Sequence, residues 1–324
     1  MKKKIFSMFA LLIASALVLA ACGGDDGVDL GNLQLGTGST GGTYYPLGGE
    51  MATVINNNIE GYEDFDLSAV ASGASVENLS EIGQGGFELG MTVHLPALDA
   101  LNGEGDFEGG SIDNFGFMGH IYPEVMQIVT PADSGIETIA DLAGKNVAIG
   151  PPGSGTQAAA RLILEAYGLS DDDYNAFEEG FGDAAGRIQD GSLDASFGLL
   201  GLPAGSIDEL ALQRDIRMIS ITPEGLSYIE ANSGYGALTI PADSYDFLTE
   251  DVQAITAYAI LVGSTDVIDE DLGYAITKAL FENRSEISHA QGAHLTKENA
   301  LLGSDGLPLH PGAEKYFKEA GLLD

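Results

Sequence analysis

The sequence has no tryptophan, one cysteine, five histidines and only 13 lysines and arginines, against 49 aspartates and glutamates in 324 residues. A single cysteine excludes a disulfide within the chain, and no close cysteine–histidine group has the spacing of a zinc site. The formal net charge of −36 excludes the basic footprint of a nucleic-acid-binding protein. So acidic a surface also predicts repulsion from anionic lipid headgroups.

Catalytic motifs are scarce as well. The nucleophile motif G-x-S-x-G is absent, because Thr37 and Pro152 occupy the position two before Ser39 and Ser154, where the first glycine belongs. No histidines have the H-E-x-x-H spacing of a metalloprotease. We therefore predict a protein without catalytic residues that is not an enzyme. An exported hydrolase stays open, because 49 acidic residues allow a carboxylate pair that forms only in three dimensions, and a surface adhesion lipoprotein is a further alternative.

Two segments come close to ligand-binding motifs but depart from them at a deciding position. Gly150–Thr156 nearly spells the phosphate-binding loop G-x-x-x-x-G-K-[ST], but Thr156 stands in the place of the lysine. Asp171–Asn175 starts like an EF-hand calcium loop, but Ala176 replaces the glycine at position six and Gly182 the glutamate at position twelve. We therefore predict no metal site and no cofactor.

The N-terminus has the pattern of an exported lipoprotein. Lys2-Lys3-Lys4 precede an apolar run over 5–21, as in a secretory signal peptide, and Leu19-Ala20-Ala21-Cys22 resembles a bacterial lipobox. We expect a signal peptide over 1–21, a lipid on Cys22 and a flexible tether over 22–32. Removal of the three lysines would lower the formal charge from −36 to −39. The mature protein is then expected outside the cytoplasm, anchored to the cell membrane by its lipid.

One strand–loop–helix unit lies directly after the tether. Leu33–Leu35 alternate as in a short strand, the loop Gly36–Gly42 is made of glycine, serine and threonine, and a helical pattern follows from Pro46. Glycines let the backbone approach a ligand closely, and the first N–H groups of a helix have no partner inside it. Together with the helix dipole these donors favour a carboxylate or a phosphate. A tight turn before a surface helix is the alternative.

A second unit of the same kind follows about 115 residues later. Lys145–Ile149 predict a strand, Gly150–Thr156 the loop, and Gln157–Tyr167 a helix that ends at Gly168. Two such units suggest two lobes, each with a helix N-terminus at a shared cleft. Arg161, about one turn into the second helix, is a rival donor that could clamp a carboxylate with two hydrogen bonds.

Four segments resemble the TAXI type of solute-binding protein, the extracytoplasmic receptor of one branch of tripartite ATP-independent periplasmic (TRAP) transporters. They are GTGSTGGTYYPLG, GPPGSGTQAAARLILEAYGLS, DGSLDASFGLLGLP and LPLHPGAEKYFKEAG. The resemblance implies a receptor that closes on a small carboxylate, either glutamate-like or a dicarboxylate, and delivers it to a TRAP-type permease. The family often has a small polar residue and an aspartate where this chain has Val93 and His94.

Twelve residues are predicted to bind the ligand, from the two loops and from the resemblance. Ser75 follows a third small-residue loop, where the resemblance puts it on the ligand side and its position also suits a helix N-cap. His94 is a pocket residue in one interpretation and an ordinary strand-end histidine in the other. The predicted ligand-binding residues are Gly38, Ser39, Thr40, Gly41, Gly42, Thr43, Tyr44, Ser75, His94, Ser154, Gly155 and Thr156.

Strands and helices alternate along the chain, which predicts an α/β fold. About 300 mature residues exceed the size of a usual single core. The resemblance implies a two-lobed, periplasmic-binding-protein-like fold of type II with the ligand cleft between the lobes. We expect lobe 1 to comprise residues 33–130 and 254–324, and lobe 2 to comprise residues 131–253.

Overall fold

One mixed sheet of ten strands runs through the protein in the computed structural model, which describes residues 30–324. The predicted signal peptide, the lipidated Cys22 and most of the predicted tether lie outside the described residues. Leu30–Asn32, at the end of that tether, form a 3-10 turn, and Leu30 accepts a hydrogen bond from the Asp66 backbone N–H at 2.7 Å.

The secondary structure alternates between strands and helices, so the α/β prediction is confirmed. The strands are β1 Leu33–Gly36, β2 Leu67–Val70, β3 Leu89–Val93, β4 Phe115–Pro131, β5 Asn146–Ala148, β6 Asn175–Phe177, β7 Ala195–Leu200, β8 Ile216–Met218, β9 Gly236–Ile240 and β10 Val252–Ser264. The α-helices are α1 Tyr44–Asn58, α2 Ser75–Gln84, α3 His94–Asn102, α4 Gly155–Ala166, α5 Phe181–Asp190, α6 Gly205–Gln213, α7 Pro223–Asn232, α8 Glu270–Glu282 and α9 Pro311–Glu319. No helix within 30–324 is both long and apolar enough to cross a bilayer.

Two long antiparallel strands, β4 and β10, join two parallel groups. The strand order is β2-β1-β3-β10-β4-β7-β5-β6, with β8 also paired to β4 and β9 to β10. On one side β1, β2 and β3 are parallel, and on the other β5, β6 and β7 are parallel. Parallel neighbours need helical crossovers, and α1, α2, α4 and α5 supply them. The carboxyl ends of both parallel groups, where ligands of open α/β sheets bind, meet at the centre of the molecule.

Three buried apolar clusters divide between the two halves of the sheet. The first draws its side chains from residues 33–122 and 259–317. The second and third lie in the other half and come from residues 125–257, with Val93 added. We call the part built around the first cluster lobe 1 and the part built around the other two lobe 2. Since β4 and β10 run through both lobes, the predicted divisions at 130/131 and 253/254 stay predictions.

Some local predictions were wrong for identifiable reasons. The sequence pattern predicts two strands, over 115–120 and 125–130, whereas β4 is continuous, with register shifts against β10 near Ala259 and Ile260. Helix α3 begins directly after β3 and has Pro96 in its first turn, where a proline is tolerated. Ser75 is not the N-cap of α2. That residue is Ala74, with φ of 76°, and Ser75 is the first helical residue.

Candidate functional site

A cavity of about 60 Å³ lies between the lobes. Its wall is formed where strands of both lobes end and helices begin. Lobe 1 contributes Gly38, Ser39, Gly42, Thr43, Tyr44, Ala74, Ser75, Val93 and Tyr122, and the central strand β4 contributes Glu124; lobe 2 contributes Gly150, Pro151, Ser154, Gly155, Thr156, Phe181, Phe197, Leu199 and Leu200.

Four helices start at this wall. Tyr44, Ser75, Gly155 and Phe181 are the first residues of α1, α2, α4 and α5, and all four line the cavity. The first turns of these helices carry N–H groups without intrahelical partners, and each dipole places partial positive charge at the same end. The cavity therefore suits an anionic group although no lysine, arginine or histidine is among its lining residues.

The first glycine loop is only partly in the cavity wall. Gly38, Ser39, Gly42, Thr43 and Tyr44 line it. Of the other two predicted residues, Thr40 is exposed and Gly41 packs against lobe 2, where a Cβ at Gly41 would lie 2.4 Å from Cα of Gly182. This part of the loop forms one of the contacts between the lobes.

The second glycine loop places all three of its predicted residues, Ser154, Gly155 and Thr156, in the wall. Gly150 has φ of +96°, and a Cβ there would meet Thr156 at 2.8 Å, so a glycine is needed for the loop to fold back over α4. A Cβ at Gly155 would lie 2.6 Å from Cγ2 of Val93, so this position also requires a residue without a side chain.

The hydroxyls of the wall differ in what they can still offer a ligand. Thr156 Oγ1 accepts the Leu199 N–H at 3.2 Å, Thr43 Oγ1 the Gly201 N–H at 3.0 Å, and Ser75 Oγ the Val93 N–H at 3.0 Å. A hydroxyl that accepts one bond keeps its own hydrogen to donate. Ser154 differs, because it accepts from the Gln157 N–H at 3.1 Å and donates to the Pro151 carbonyl at 2.8 Å. Both hydrogen bonds of the Ser154 hydroxyl are therefore made within its own loop and helix.

A buried carboxylate, which sequence reasoning missed, forms one end of the cavity. Tyr122 Oη donates to Glu124 Oε1 at 3.0 Å, and the Tyr44 and Tyr122 rings meet edge to face with centroids 6.2 Å apart. We call Glu124, Tyr44 and Tyr122 the Glu124 cluster. Tyr122 and Glu124 share one face of β4 because strand side chains alternate. The available signal was a lone glutamate at this spacing from a tyrosine within an apolar strand.

The Glu124 carboxylate and the Tyr44 phenol are buried beside each other. Glu124 is 2% and Tyr44 6% exposed; Glu124 Oε2 and Tyr44 Oη make no hydrogen bond of regular geometry within residues 30–324, but the Tyr44 phenol lies near enough to act on the carboxylate as a hydrogen-bond donor. Burial raises the pKa of Glu124 to about 8, against the opposing pull of the neighbouring Tyr44 and Tyr122 phenols. Burial, followed by the nearby Glu124, also raises the pKa of both phenols, which stay protonated donors.

His94 and Arg161 lie outside the cavity wall. His94 is the first residue of α3; its Nδ1 accepts the Tyr258 N–H at 3.2 Å and its ring packs against that of Tyr258. Arg161 pairs with Glu178 at 3.2 Å and with Asp171 at 3.5 Å, and its side chain is 42% exposed. In this structure His94 has the surroundings of an ordinary strand-end histidine, and the Arg161 side chain forms ion pairs at the surface.

The wall has little of what hydrolysis requires. It contains one carboxylate and neither histidine nor cysteine, and the hydrogen bonds of the serine and threonine hydroxyls described above are with backbone atoms rather than with Glu124. A nucleophile needs a base within hydrogen-bond reach. Over residues 30–324, no group of three or more histidine, cysteine, aspartate or glutamate side chains is placed to hold a metal ion. The arrangement is suited to holding a small polar molecule.

Comparison with known proteins places the chain in a family. The model of the NMT1-like family matches residues 35–321. A solved structure from Bordetella bronchiseptica RB50 aligns with a TM-score of 0.53 at 16% identity, covering 91% of this chain and 82% of its own. The alkanesulfonate-binding protein SsuA from Xanthomonas axonopodis pv. citri, solved with MOPS, aligns with a TM-score of 0.49 at 17% identity, covering 88% and 83%. The likeness to the Bordetella structure supports the α/β fold, in which one mixed sheet spans two lobes with the cavity between them.

Proposed function

Since the chain belongs to the NMT1-like family, we propose that it is an extracytoplasmic solute-binding receptor rather than an enzyme. It captures a small carboxylate in the cavity between its lobes and delivers it to a membrane transporter. The single observation that carries the proposal is the convergence of four helix N-termini on one cavity between the lobes, because such ends bind anions through backbone donors.

The chemistry of the wall supports a carboxylate as the anion. The N–H groups of α4 and the hydroxyl of Thr156 supply directional donors at one end of the cavity. A chain with this net charge repels anions at long range, so affinity must come from such short-range donors. The small size of the cavity favours a ligand with few non-hydrogen atoms.

Contacts across the cleft support capture by lobe closure. The Val76 N–H of lobe 1 donates to the Gly153 carbonyl of lobe 2 at 2.9 Å, Thr43 bonds Gly201, and Gly41 packs on Gly182. Each contact is made by residues that line the cavity or directly precede or follow a lining residue, so we propose that these contacts separate and re-form when a ligand is captured. Hinge closure around a ligand is an established motion of periplasmic binding proteins.

The transporter we propose is of the TRAP type, on the strength of the four segments that resemble TAXI receptors. The predicted lipid on Cys22 keeps the receptor at the membrane beside it. Uptake into energised membrane vesicles carrying the permease tests the transporter type. Uptake without ATP is expected, and a strict requirement for ATP would identify an ABC transporter as the partner instead.

Mass spectrometry of the small molecule released from gently purified protein tests the ligand. We expect one carboxylate in near-equal molar amount to the protein, recovered chemically unchanged after incubation. Release of only neutral or cationic compounds would contradict the carboxylate. If the identified compound is converted to a product when it is incubated with the protein, the hydrolase alternative is favoured.

A further inference from the structure

The loop over residues 201–204, which follows β7 in lobe 2, contacts lobe 1 at a point outside the cavity wall. Gln291 of lobe 1 donates from Nε2 to the Leu202 carbonyl at 3.2 Å and to the Pro203 carbonyl at 3.4 Å. A Cβ at Gly201 would lie 2.5 Å from Cδ of Gln291, so the amide lies directly on this loop. Gln291 is 1% exposed and is not among the residues that line the cavity. We call Gln291 and the carbonyls of Leu202 and Pro203 the Gln291 latch.

On the lobe 1 side, the turn that carries Gln291 is fixed to α1. Glu50 on α1 accepts hydrogen bonds from the Ser288 N–H at 2.6 Å, the Ser288 hydroxyl at 2.8 Å and the His289 N–H at 2.9 Å. His289 Nδ1 in turn accepts the Gln291 N–H at 3.2 Å, and Ala290–His294 form a 3-10 helix. The position of Gln291 is therefore set by its own lobe.

On the lobe 2 side, two buried side chains hold the loop. Gln127 Nε2 on β4 donates to the Gly201 carbonyl at 3.0 Å. Tyr245 Oη accepts the Ala204 N–H at 2.6 Å and donates to Gln127 Oε1. Both ends of the loop are thus bonded within lobe 2. Since each half of the latch is ordered without the other, little conformational entropy is lost when the halves meet.

The hydrogen bonds of the Gln291 amide are satisfied on one side only. Nε2 has two acceptors, but Oε1 is buried without a hydrogen-bond partner in the described part of the chain. When the lobes separate, water can reach the amide and both carbonyls. When the lobes meet, the two donated bonds form and the hydration of Oε1 is lost, and these contributions oppose each other. The latch therefore favours contact between the lobes without locking them.

We propose that Gln291 holds the lobes together independently of the cavity contents, so that part of the empty receptor is already closed before a solute arrives. The latch bonds join protein atoms alone and lie outside the cavity wall. A closed population that exists beforehand reduces the free energy that a solute must supply for closure, which raises affinity without a contact to the solute. The inference rests on the lobe closure of the proposed function, but not on the identity of the solute or the transporter.

Distances between spin labels on the two lobes test the latch in protein without a bound solute. The full-length chain carries labels at Thr53→Cys on α1 and Leu212→Cys on α6, which are exposed positions, and Cys22→Ser removes the one cysteine of the sequence. Mass spectrometry verifies that dialysis has emptied the cavity. In this parent chain we expect a separation that matches the closed structure beside a longer one.

Gln291→Glu should lower the ratio of closed to open protein roughly 10- to 100-fold at pH 8, because an ionised carboxylate would face two carbonyl oxygens that have lost their donor. Burial in the closed state raises the pKa of this new carboxyl, and its protonated form can donate one hydrogen bond. The closed fraction should therefore recover as the pH falls from 8 to 5. His289 and Glu50, which hold the turn, and Tyr245, which holds the loop, also titrate in the parent chain, so comparison at each pH removes their contribution.

Gln84→Glu is the matched control, since Gln84 is exposed on α2 and bonds only the Ser80 carbonyl of its own helix; the closed fraction should not change. Gly201→Ala tests the latch from lobe 2, because its new Cβ displaces the Gln291 amide. We expect the closed-to-open ratio to fall about fivefold or more. Gly205→Ala, with no atom within 4 Å of the new Cβ, should match the parent chain.

The outcomes separate the latch from the proposed function. Unchanged distances in both Gln291→Glu and Gly201→Ala overturn the latch, and so does a parent chain that shows only the open separation. Neither result bears on the carboxylate, which the compound released from the purified protein tests separately. If denaturant unfolding shows that Gln291→Glu does not fold, Gly201→Ala against Gly205→Ala decides.

Discussion

The two glycine loops that face each other across the cavity have similar sequences but satisfy their polar atoms differently. In the loop before α4, Ser154 caps its own helix and bonds its own loop. In the loop before α1, Thr43 occupies the N-cap position without a capping bond and instead accepts from the Gly201 N–H of lobe 2. The Ser154 hydroxyl thus has its partners within its own lobe, whereas the Gly201 partner of the Thr43 hydroxyl is present only when the lobes are together. Ser154 therefore helps to preform the loop before α4, and Thr43 acts as a closing contact.

The largest effect is expected from Gly41→Ala. The new Cβ would lie 2.4 Å from Cα of Gly182, and this backbone contact has no flexible side chain that could yield. Overpacking of this kind costs about 2–3 kcal/mol, which lowers ligand affinity roughly 30- to 150-fold because the cost arises only when the lobes meet. Calorimetry measures the affinity, and thermal unfolding should change little.

Gly49→Ala is the matched control for this prediction. Gly49 lies on α1 with no atom within 4 Å of a new Cβ, and alanine in a helix interior is favoured over glycine by about 1 kcal/mol. We expect unchanged affinity and slightly higher stability. Equal affinity of Gly41→Ala and the wild-type protein would show that binding does not need this contact.

A smaller loss is expected from Thr43→Val. Valine has nearly the same shape but leaves the Gly201 N–H without an acceptor in the closed protein. An unmade hydrogen bond of this kind costs about 1–2 kcal/mol, or roughly 5- to 30-fold in affinity. Thr53→Val, an exposed position on the same helix whose hydroxyl bonds only the Gly49 carbonyl, should bind like wild type. Loss of affinity in both variants would point to a general effect on α1.

Ser154→Ala should affect folding more than binding. Removing the cap of α4 costs about 1 kcal/mol of unfolding free energy, measurable by denaturant titration. The hydroxyl hydrogen of Ser154 is used within its loop, so we expect affinity to fall by less than about threefold. A more than tenfold loss of affinity at normal stability would mean that Ser154 binds the ligand directly and that the two loops are alike.

The smallest effect is expected from Arg161→Gln. Its ion pairs with Glu178 and Asp171 are largely exposed, and such pairs contribute about 0–1 kcal/mol. Binding should be unchanged in calorimetry. Loss of carboxylate binding would make Arg161 the clamp of the second loop and would displace the hydroxyls from that role.

Sequence reasoning located the two loops but not the whole cavity. Gly/Ser/Thr loops between a strand and a helix have a local signature, and the residues around Gly38 and Gly155 follow it. Glu124 has no such signature, because its role arises from the path of β4 between the lobes. The hydrogen-bond partners of the hydroxyls could not be predicted from the sequence either, since those of Thr43 and Thr156 are 158 and 43 residues away along the chain.

The same limit applies to the fold. Helix α7 begins with Thr222 as its cap and Pro223 in its first turn, which is a local signal for the start of a helix. The continuity of β4 through Pro123 has no such local signal, because a proline within an apolar stretch normally argues against a central strand. Pairing with the long neighbour β10 on both sides of Pro123 overrides that local preference.

Small-angle X-ray scattering with and without the carboxylate identified by mass spectrometry tests the central claim most directly, which is that the lobes close on the ligand. With wild-type protein at saturating ligand, the radius of gyration should fall relative to the ligand-free protein. With Gly41→Ala the decrease should be smaller at the same occupancy. An unchanged scattering profile, although calorimetry shows full binding, would contradict closure and indicate a rigid pocket.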